Sequence, residues 1–95
     1  MTVGWRREAL DDLRSIHDYI ARDNTPAAKL VIARIREATR RLNRFPLSGR
    51  RGAVDGTHEL VITGAPYIIV YVASGQAVEI IAVFHTAEDR NRGPA

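Results

Sequence analysis

The chain has 95 residues, 45% of them hydrophobic and 26% charged, with 14 basic residues against 11 acidic ones and no cysteine. That composition suits one small globular core spanning 1–95, and it excludes a disordered chain, a disulfide scaffold and a thiolate zinc site. The longest apolar runs, Tyr67 to Ala73 and Ile80 to Phe84, fall far short of the roughly 18 residues of a membrane span.

The opening Met1-Thr2-Val3-Gly4-Trp5-Arg6-Arg7 lacks the apolar stretch of a signal peptide. The expected setting is therefore a reducing cytoplasm, with no membrane partner. Lys29 is the only lysine; every other basic residue is arginine. Guanidinium forks suit carboxylates and phosphates, although a GC-rich genome would produce the same bias. A domain of this size buries only about 60 to 65% of its unfolded surface, so a bound partner would add usefully to a thin margin of stability.

Thr2 to Trp5 is a short extended stretch. Ala9, Leu13, Ile16 and Ile20 follow at spacings of 4, 3 and 4, which places them on one face of a helix from about Arg6 to Arg22. Glu8, Asp11 and Asp12 sit in its early turns, where the helix dipole favours anions. Asn24 or Thr25 can cap a second helix, and Pro26 suits its first turn. Ala28, Val31, Ile32, Ile35, Ala38 and Leu42 form the apolar face of that helix, and Arg34, Arg36, Arg40, Arg41 and Arg44 occupy the rest. So short a linker makes the two helices an antiparallel hairpin.

Phe45 to Gly52 reads as a loop because Pro46 and two glycines interrupt it. Three strands follow: His58 to Thr63, Tyr67 to Ala73, and Ala77 to His85. Their tight turns make them antiparallel, and the middle one, apolar on both faces, is expected to be central. The expected fold class is α+β: a helical hairpin packed on one face of a small antiparallel sheet, in the order β-α-α-β-β-β. Residues 86–95 are a polar terminal turn or tail.

This ordered set of features resembles the ParE/RelE toxin superfamily of type II toxin–antitoxin modules. The resemblance is carried by Trp5, Ala9, Asp12, Leu13, Ile16, Tyr19 and Ile20, then by Asp23-Asn24 with Ala27-Ala28, and by Arg34-Ile35 and Leu42. It continues through Pro46, Gly49 and Arg50, through Gly56-Thr57 with Glu59-Leu60-Val61, and through Pro66 to Tyr71, ending at Val78, Ile80, Val83 and His85. It spans about residues 5 to 90 and is closer to the ParE branch, whose members include plasmid stabilisation proteins. Two departures stand out. His58 occupies a position where that branch usually has arginine, and His85-Thr86-Ala87-Glu88-Asp89-Arg90 is more acidic than the usual ending.

The resemblance implies a toxin that inhibits DNA gyrase, blocks replication and is neutralised in a hetero-oligomer by a cognate antitoxin. On that reading no catalytic residue and no cofactor are expected. The alternative it implies is a RelE-like, ribosome-dependent mRNA endoribonuclease; a second is an inactive or adaptor member of the family. A metal-independent ribonuclease needs a base, a cation and an acid. Glu59, Arg50 and His85 are the candidates, with Arg51 or Arg90 as further phosphate clamps and Tyr67 or Tyr71 to stack on a base.

Each has a structural alternative. Glu59 can simply face solvent, and His85 can cap a backbone group or sit half-buried in the fold. Arg50 can pair with a carboxylate. His17 and His58 read as structural or exposed. No histidine or carboxylate pair has metal-ligand spacing, so no metal is expected.

For an acidic antitoxin or the target, the expected contacts are Arg34, Arg40, Arg41, Arg50, Arg51 and Arg90. A partner can dock as a helix in a groove or add a strand to a free edge. Ala77 to His85 is the candidate edge unless Thr2 to Trp5 covers it, and an open edge would make the lone chain poorly soluble.

Overall fold

A computed structural model describes residues 2–89. Strand β1 (Thr2–Trp5) leads into helix α1 (Arg7–Ala21) and helix α2 (Thr25–Arg41). Strands β2 (Arg50–Arg51), β3 (His58–Val61), β4 (Tyr67–Ser74) and β5 (Ala77–His85) follow, and a single helical turn, α3 (Thr86–Asp89), comes after them. The structure is α+β, as expected.

Helix α1 begins one residue later than its pattern suggests because Arg6 still belongs to the extended chain. Its φ and ψ are −70° and 152°, and its N–H bonds to the Ile80 carbonyl at 2.9 Å. Asn24 is the cap of α2: its side chain accepts the Ala27 N–H at 3.0 Å, and Pro26 sits in the first turn, where no N–H is missed. Thr39 interrupts the apolar stripe of α2 yet is only 4% exposed. Its hydroxyl donates to the Arg36 carbonyl at 2.7 Å, so the buried polar group is satisfied.

The sheet order is β1-β5-β4-β3-β2. The β3-β4-β5 meander is antiparallel, with the apolar β4 in the middle. Gly64 and Gly75, at φ of +83° and +58°, make its two turns. Val70 pairs with Ala82 and Tyr71 with Ile80, so Ile81 is an extra residue on β5. This bulge returns Val83 to the face that Ile80 occupies. That face carries Leu60, Tyr67, Ile69, Tyr71, Val78, Ile80 and Val83 against Ala9 and Leu13 of α1 and Ile35 and Leu42 of α2.

Two expectations need correction. The first concerns β5, which is not a free edge. Strand β1 runs parallel to it from Thr2↔Ala77 to Trp5↔Ile80. Where β1 turns away into α1, the Asp12 carboxylate accepts the Val83 N–H at 3.0 Å. The outer side of β5 is thus covered along β1 and at the Val83 N–H, so the strand is not the open edge on which the expectation of poor solubility rested. The second concerns the loop after α2, which contributes a strand. Arg50 and Arg51 pair with Glu59 and His58.

Candidate functional site

Glu59 does not face solvent. It stands opposite Val70, on the sheet face away from the helices, and is 5% exposed. One carboxylate oxygen accepts from the Arg50 guanidinium at 3.1 Å, and the other accepts the Ala53 N–H at 3.3 Å. Charge pairing and a backbone donor together compensate the burial. Glu59 and Arg50 therefore form a brace that ties β2 and the start of the next loop to β3.

His85 lies at the other end of the sheet, on the helix-facing side opposite Tyr67. Its Nδ1 accepts the Ala87 N–H at 3.0 Å, so Nε2 carries the proton when the ring is neutral. The ring meets Tyr67 edge-on, with centroids 5.2 Å apart and planes at 82°. Ser15, Ile16 and Tyr19 of α1 complete a pocket around the pair. Glu59 and His85 are thus on opposite faces, two strands apart and three residues apart along β4. At about 4.8 Å per strand and 3.3 Å per residue, their backbones are roughly 14 Å apart.

Tyr71 cannot stack on an incoming base, because it is fully buried. Its hydroxyl accepts the Gly49 N–H at 2.9 Å. Burial raises its pKa above 10.0, against the lowering effect of hydrogen bonds from Gly49 and Ser48. The ring stacks on His58, with centroids 5.4 Å apart and planes at 22°. The Nδ1 of His58 is buried without a hydrogen-bond partner among the described residues. Gly49 is glycine for a steric reason: a Cβ there would sit 2.7 Å from the Tyr71 hydroxyl and 2.8 Å from the Glu59 carbonyl oxygen. His17 lies half-buried on α1 beside Leu10 and Leu13 of the same helix and Ile32 of α2, with Nδ1 3.2 Å from the Asp18 carboxylate.

The arginines of α2 divide between its two flanks. Arg34, Glu37 and Arg41 border a groove against β3, lined by Ala38, Phe45, Leu60 and Val61. Arg36 and Arg40 border a second groove against β1, lined by Val3, Trp5, Thr39 and Asn43. Arg40 pairs with Glu37 at 3.2 Å, whereas Arg34, Arg36, Arg41 and Arg51 have no ion pair among the described residues.

Of the sequence-predicted contacts, Arg34 and Arg41 come together on one groove and Arg40 lies on the opposite flank. Arg50 is engaged by Glu59, Arg51 stands beside His58, and Arg90 lies outside the described residues. The flank division was visible in the spacing of α2, where 34, 37, 38 and 41 form one ridge and 36, 40 and 43 another. The Gly49–Tyr71 latch carried no sequence signal. Among the described residues, no three His, Asp or Glu side chains converge on a metal-sized site. No helix is long and apolar enough to cross a membrane among them either.

Comparison with known proteins bears on this surface. The family described as the ParE toxin of the type II toxin–antitoxin system, parDE, matches residues 3–90. The chain is 43% identical over 83 residues to the Y4kP protein of Sinorhizobium fredii, covering 87% of this chain and 85% of that one. It is 35% identical over 85 residues to toxin RelE2 of Caulobacter vibrioides, covering 90% and 94%. Among solved structures it is similar in fold to a chain of a chromosomal ParDE system from P. aeruginosa, with a TM-score of 0.79, 24% identity and coverage of 90% and 95%. A YoeB/ParE toxin from Agrobacterium tumefaciens shares the fold at a TM-score of 0.59 and 22% identity, with coverage of 90% and 98%. The chain belongs to the ParE toxin family, and is the toxin of a type II toxin–antitoxin module whose other half is an antitoxin protein.

Proposed function

We propose that this toxin arrests growth by docking on DNA gyrase in the cytoplasm, without covalent chemistry of its own, and that its antitoxin holds it inactive in a hetero-oligomer. The observation that supports docking over ribonuclease catalysis is the placement of Glu59 and His85. A base and an acid must both reach one phosphodiester, and these two stand roughly 14 Å apart on opposite faces of the sheet. The Glu59 carboxylate is also committed to Arg50 and to the Ala53 N–H. The moderate net charge of +3 fits a protein target better than a phosphate-dense ribosomal site.

The test mixes the purified chain with gyrase, ATP and plasmid DNA and resolves the products after detergent and protease. Linear or nicked DNA that requires both proteins is the expected result. Unchanged supercoiling by a folded chain would overturn the gyrase reading.

One observation favours a second reading, a ribosome-dependent mRNA endoribonuclease. His85 and the exposed Tyr19 line one pocket whose wall includes the buried Tyr67, an arrangement in which Tyr19 can stack a base beside a proton donor. On that reading, His85→Ala abolishes mRNA cleavage in a ribosome-programmed assay and leaves antitoxin binding intact. A toxic His85→Ala variant removes it. Loss of toxicity from the wild-type chain as well would leave an inert family member.

A further inference from the structure

The flank of α2 that faces β1 holds a groove of about 350 Å³. Arg36 and Arg40 line it from α2, Asn43 from the turn after the helix, and Trp5 from β1. These side chains are rich in donors. Arg36 makes no ion pair, and neither the Asn43 amide nor the Trp5 indole N–H makes a hydrogen bond, among the described residues. The Thr39 hydroxyl is already spent on the Arg36 carbonyl. No carboxylate among the described residues lines the groove. Glu37 pairs with Arg40 at 3.2 Å but borders the other flank. Glu79 lies between the core residues Val78 and Ile80, so it is on the far face of the sheet, where it takes Arg6 at 2.6 Å.

A wall of this kind calls for an anion with a flat face. An apolar helix would leave the donors of Arg36, Asn43 and Trp5 without acceptors. An acidic peptide would satisfy the arginines and leave the indole face unused. A single nucleic-acid strand serves both, with phosphates for the guanidiniums and a base for the indole. Trp5 is held ready for it. Its backbone pairs with Ile80, the next N–H bonds to the Ile80 carbonyl at 2.9 Å, and the side chain packs in part on the core, so stacking costs little ordering. The end of α2 carries roughly half a negative charge, which Arg40 and Arg41 in its last turn offset. Arg36 stands about 6 Å further in along the axis and has no carboxylate of its own, so it is the stronger phosphate holder.

We propose that the β1 flank of α2 binds a single strand of DNA, with successive phosphates on Arg36 and Arg40 and an unpaired base stacked on Trp5 and hydrogen-bonded by Asn43. This inference rests on the proposed docking on gyrase for the source of the strand, which is DNA that the enzyme holds broken. It adds a second ligand to that complex: the toxin grips the nucleic acid as well as the protein, and so opposes resealing. A grip on two phosphates is in keeping with a net charge of +3, which suits a local contact rather than a general affinity for nucleic acid.

Trp5 is the only tryptophan in the chain, so its emission reports the stack directly. The full chain is titrated with a short oligothymidylate. Quenching is expected, with a Kd on the order of 10 μM. Two phosphate contacts give a slope of about −1.4 in log Kobs against log salt, a weakening of about sevenfold between 50 and 200 mM salt. Arg36→Ala, exposed on α2, is expected to weaken binding at least about fivefold and to halve the slope, with an unchanged melt confirming the fold. Arg22→Ala removes the same charge at the α1–α2 turn and leaves both quantities as they were. Absence of quenching, a slope near zero, or equal losses from the two variants would overturn the proposal. A clear preference for oligouridylate would move the occupant to RNA, and displacement of oligothymidylate by an equal concentration of a glutamate-rich peptide would make the groove a carboxylate site; either result also overturns it.

A parallel arm keeps the two readings separable. In the gyrase assay, Arg36→Ala is expected to yield less broken DNA than the wild type at the same concentration. If the two are equally potent, the gyrase reading stands and the DNA contact fails. If the wild type binds oligothymidylate through Arg36 yet leaves supercoiling unchanged, the gyrase reading fails and the strand loses its proposed source.

Discussion

The two flanks of α2 are built in opposite ways. On the β1 side, regular structure makes the wall: β1 is laddered to β5 over four residue pairs, and Val3 and Trp5 pack against the core. The groove there is bordered by Arg36, Arg40 and Asn43. On the β3 side, Phe45 and Ser48 of an irregular loop form part of the wall. That loop is positioned by a few long-range polar contacts: Gly49 to the Tyr71 hydroxyl, and Arg50 and Ala53 to Glu59. The apolar, exposed flank is thus the one whose shape depends on buried polar groups. A backbone ladder tolerates the loss of a single side chain, whereas a latch made of one hydroxyl and one carboxylate does not.

The contrast breaks most sharply at Glu59. Glu59→Ala leaves the Ala53 N–H without its acceptor and Arg50 without its partner, and should destabilise the fold by about 3 kcal/mol. For a domain of this size, that is a fall in melting temperature of roughly 12 to 24 °C. A melt within about 2 °C of wild type would show that the brace is incidental.

Gly49→Ala is next. Its new Cβ would meet both the Tyr71 hydroxyl and the Glu59 carbonyl, so about 2 kcal/mol is expected in urea unfolding.

Tyr71→Phe removes the acceptor of the Gly49 N–H and should cost about 1 to 2 kcal/mol. It also predicts a pH signature. Burial holds the folded Tyr71 pKa above 10.0, so the folded state retains the proton longer than the unfolded one. Its contribution is complete below pH 10.0 and is lost as pH rises through the folded value. Stability measured from neutral pH upward should fall beyond that point in the wild type, and the fall should be shallower in Tyr71→Phe. Parallel curves would assign the alkaline loss to other groups.

The smallest effect belongs to the β1 flank. Arg40→Ala removes an exposed pair with Glu37 and should change stability by less than about 0.5 kcal/mol. A larger loss would mean that the polar flank is under the same kind of control as the apolar one.

Particular residues show how far the sequence could be read. The two helices were legible because Ala9, Leu13, Ile16 and Ile20, and Ala28, Ile35 and Leu42, repeat at helical spacing. The central position of β4 was legible because Tyr67 to Ala73 is apolar on both faces. The pairing of β1 with β5 was legible only as one option, because four extended residues carry no mark of which strand they join, and Asp12 gave no sign that it would serve the Val83 N–H. Glu59 looked like an ordinary outward residue of an alternating strand. Its burial depends on Arg50 and Ala53, which reach it only after the loop has folded back.

Local periodicity and turn chemistry, which act over a few residues, determined the helical hairpin, the meander and the fold class. Tertiary structure decided which edges were covered and which carboxylate was buried. It also decided that Glu59 and His85 would stand on opposite faces, and that Arg34 and Arg41 would share a groove with Phe45 and Val61. Those outcomes depend on contacts between segments far apart in the chain, and the spacing of residues within any one segment does not encode them.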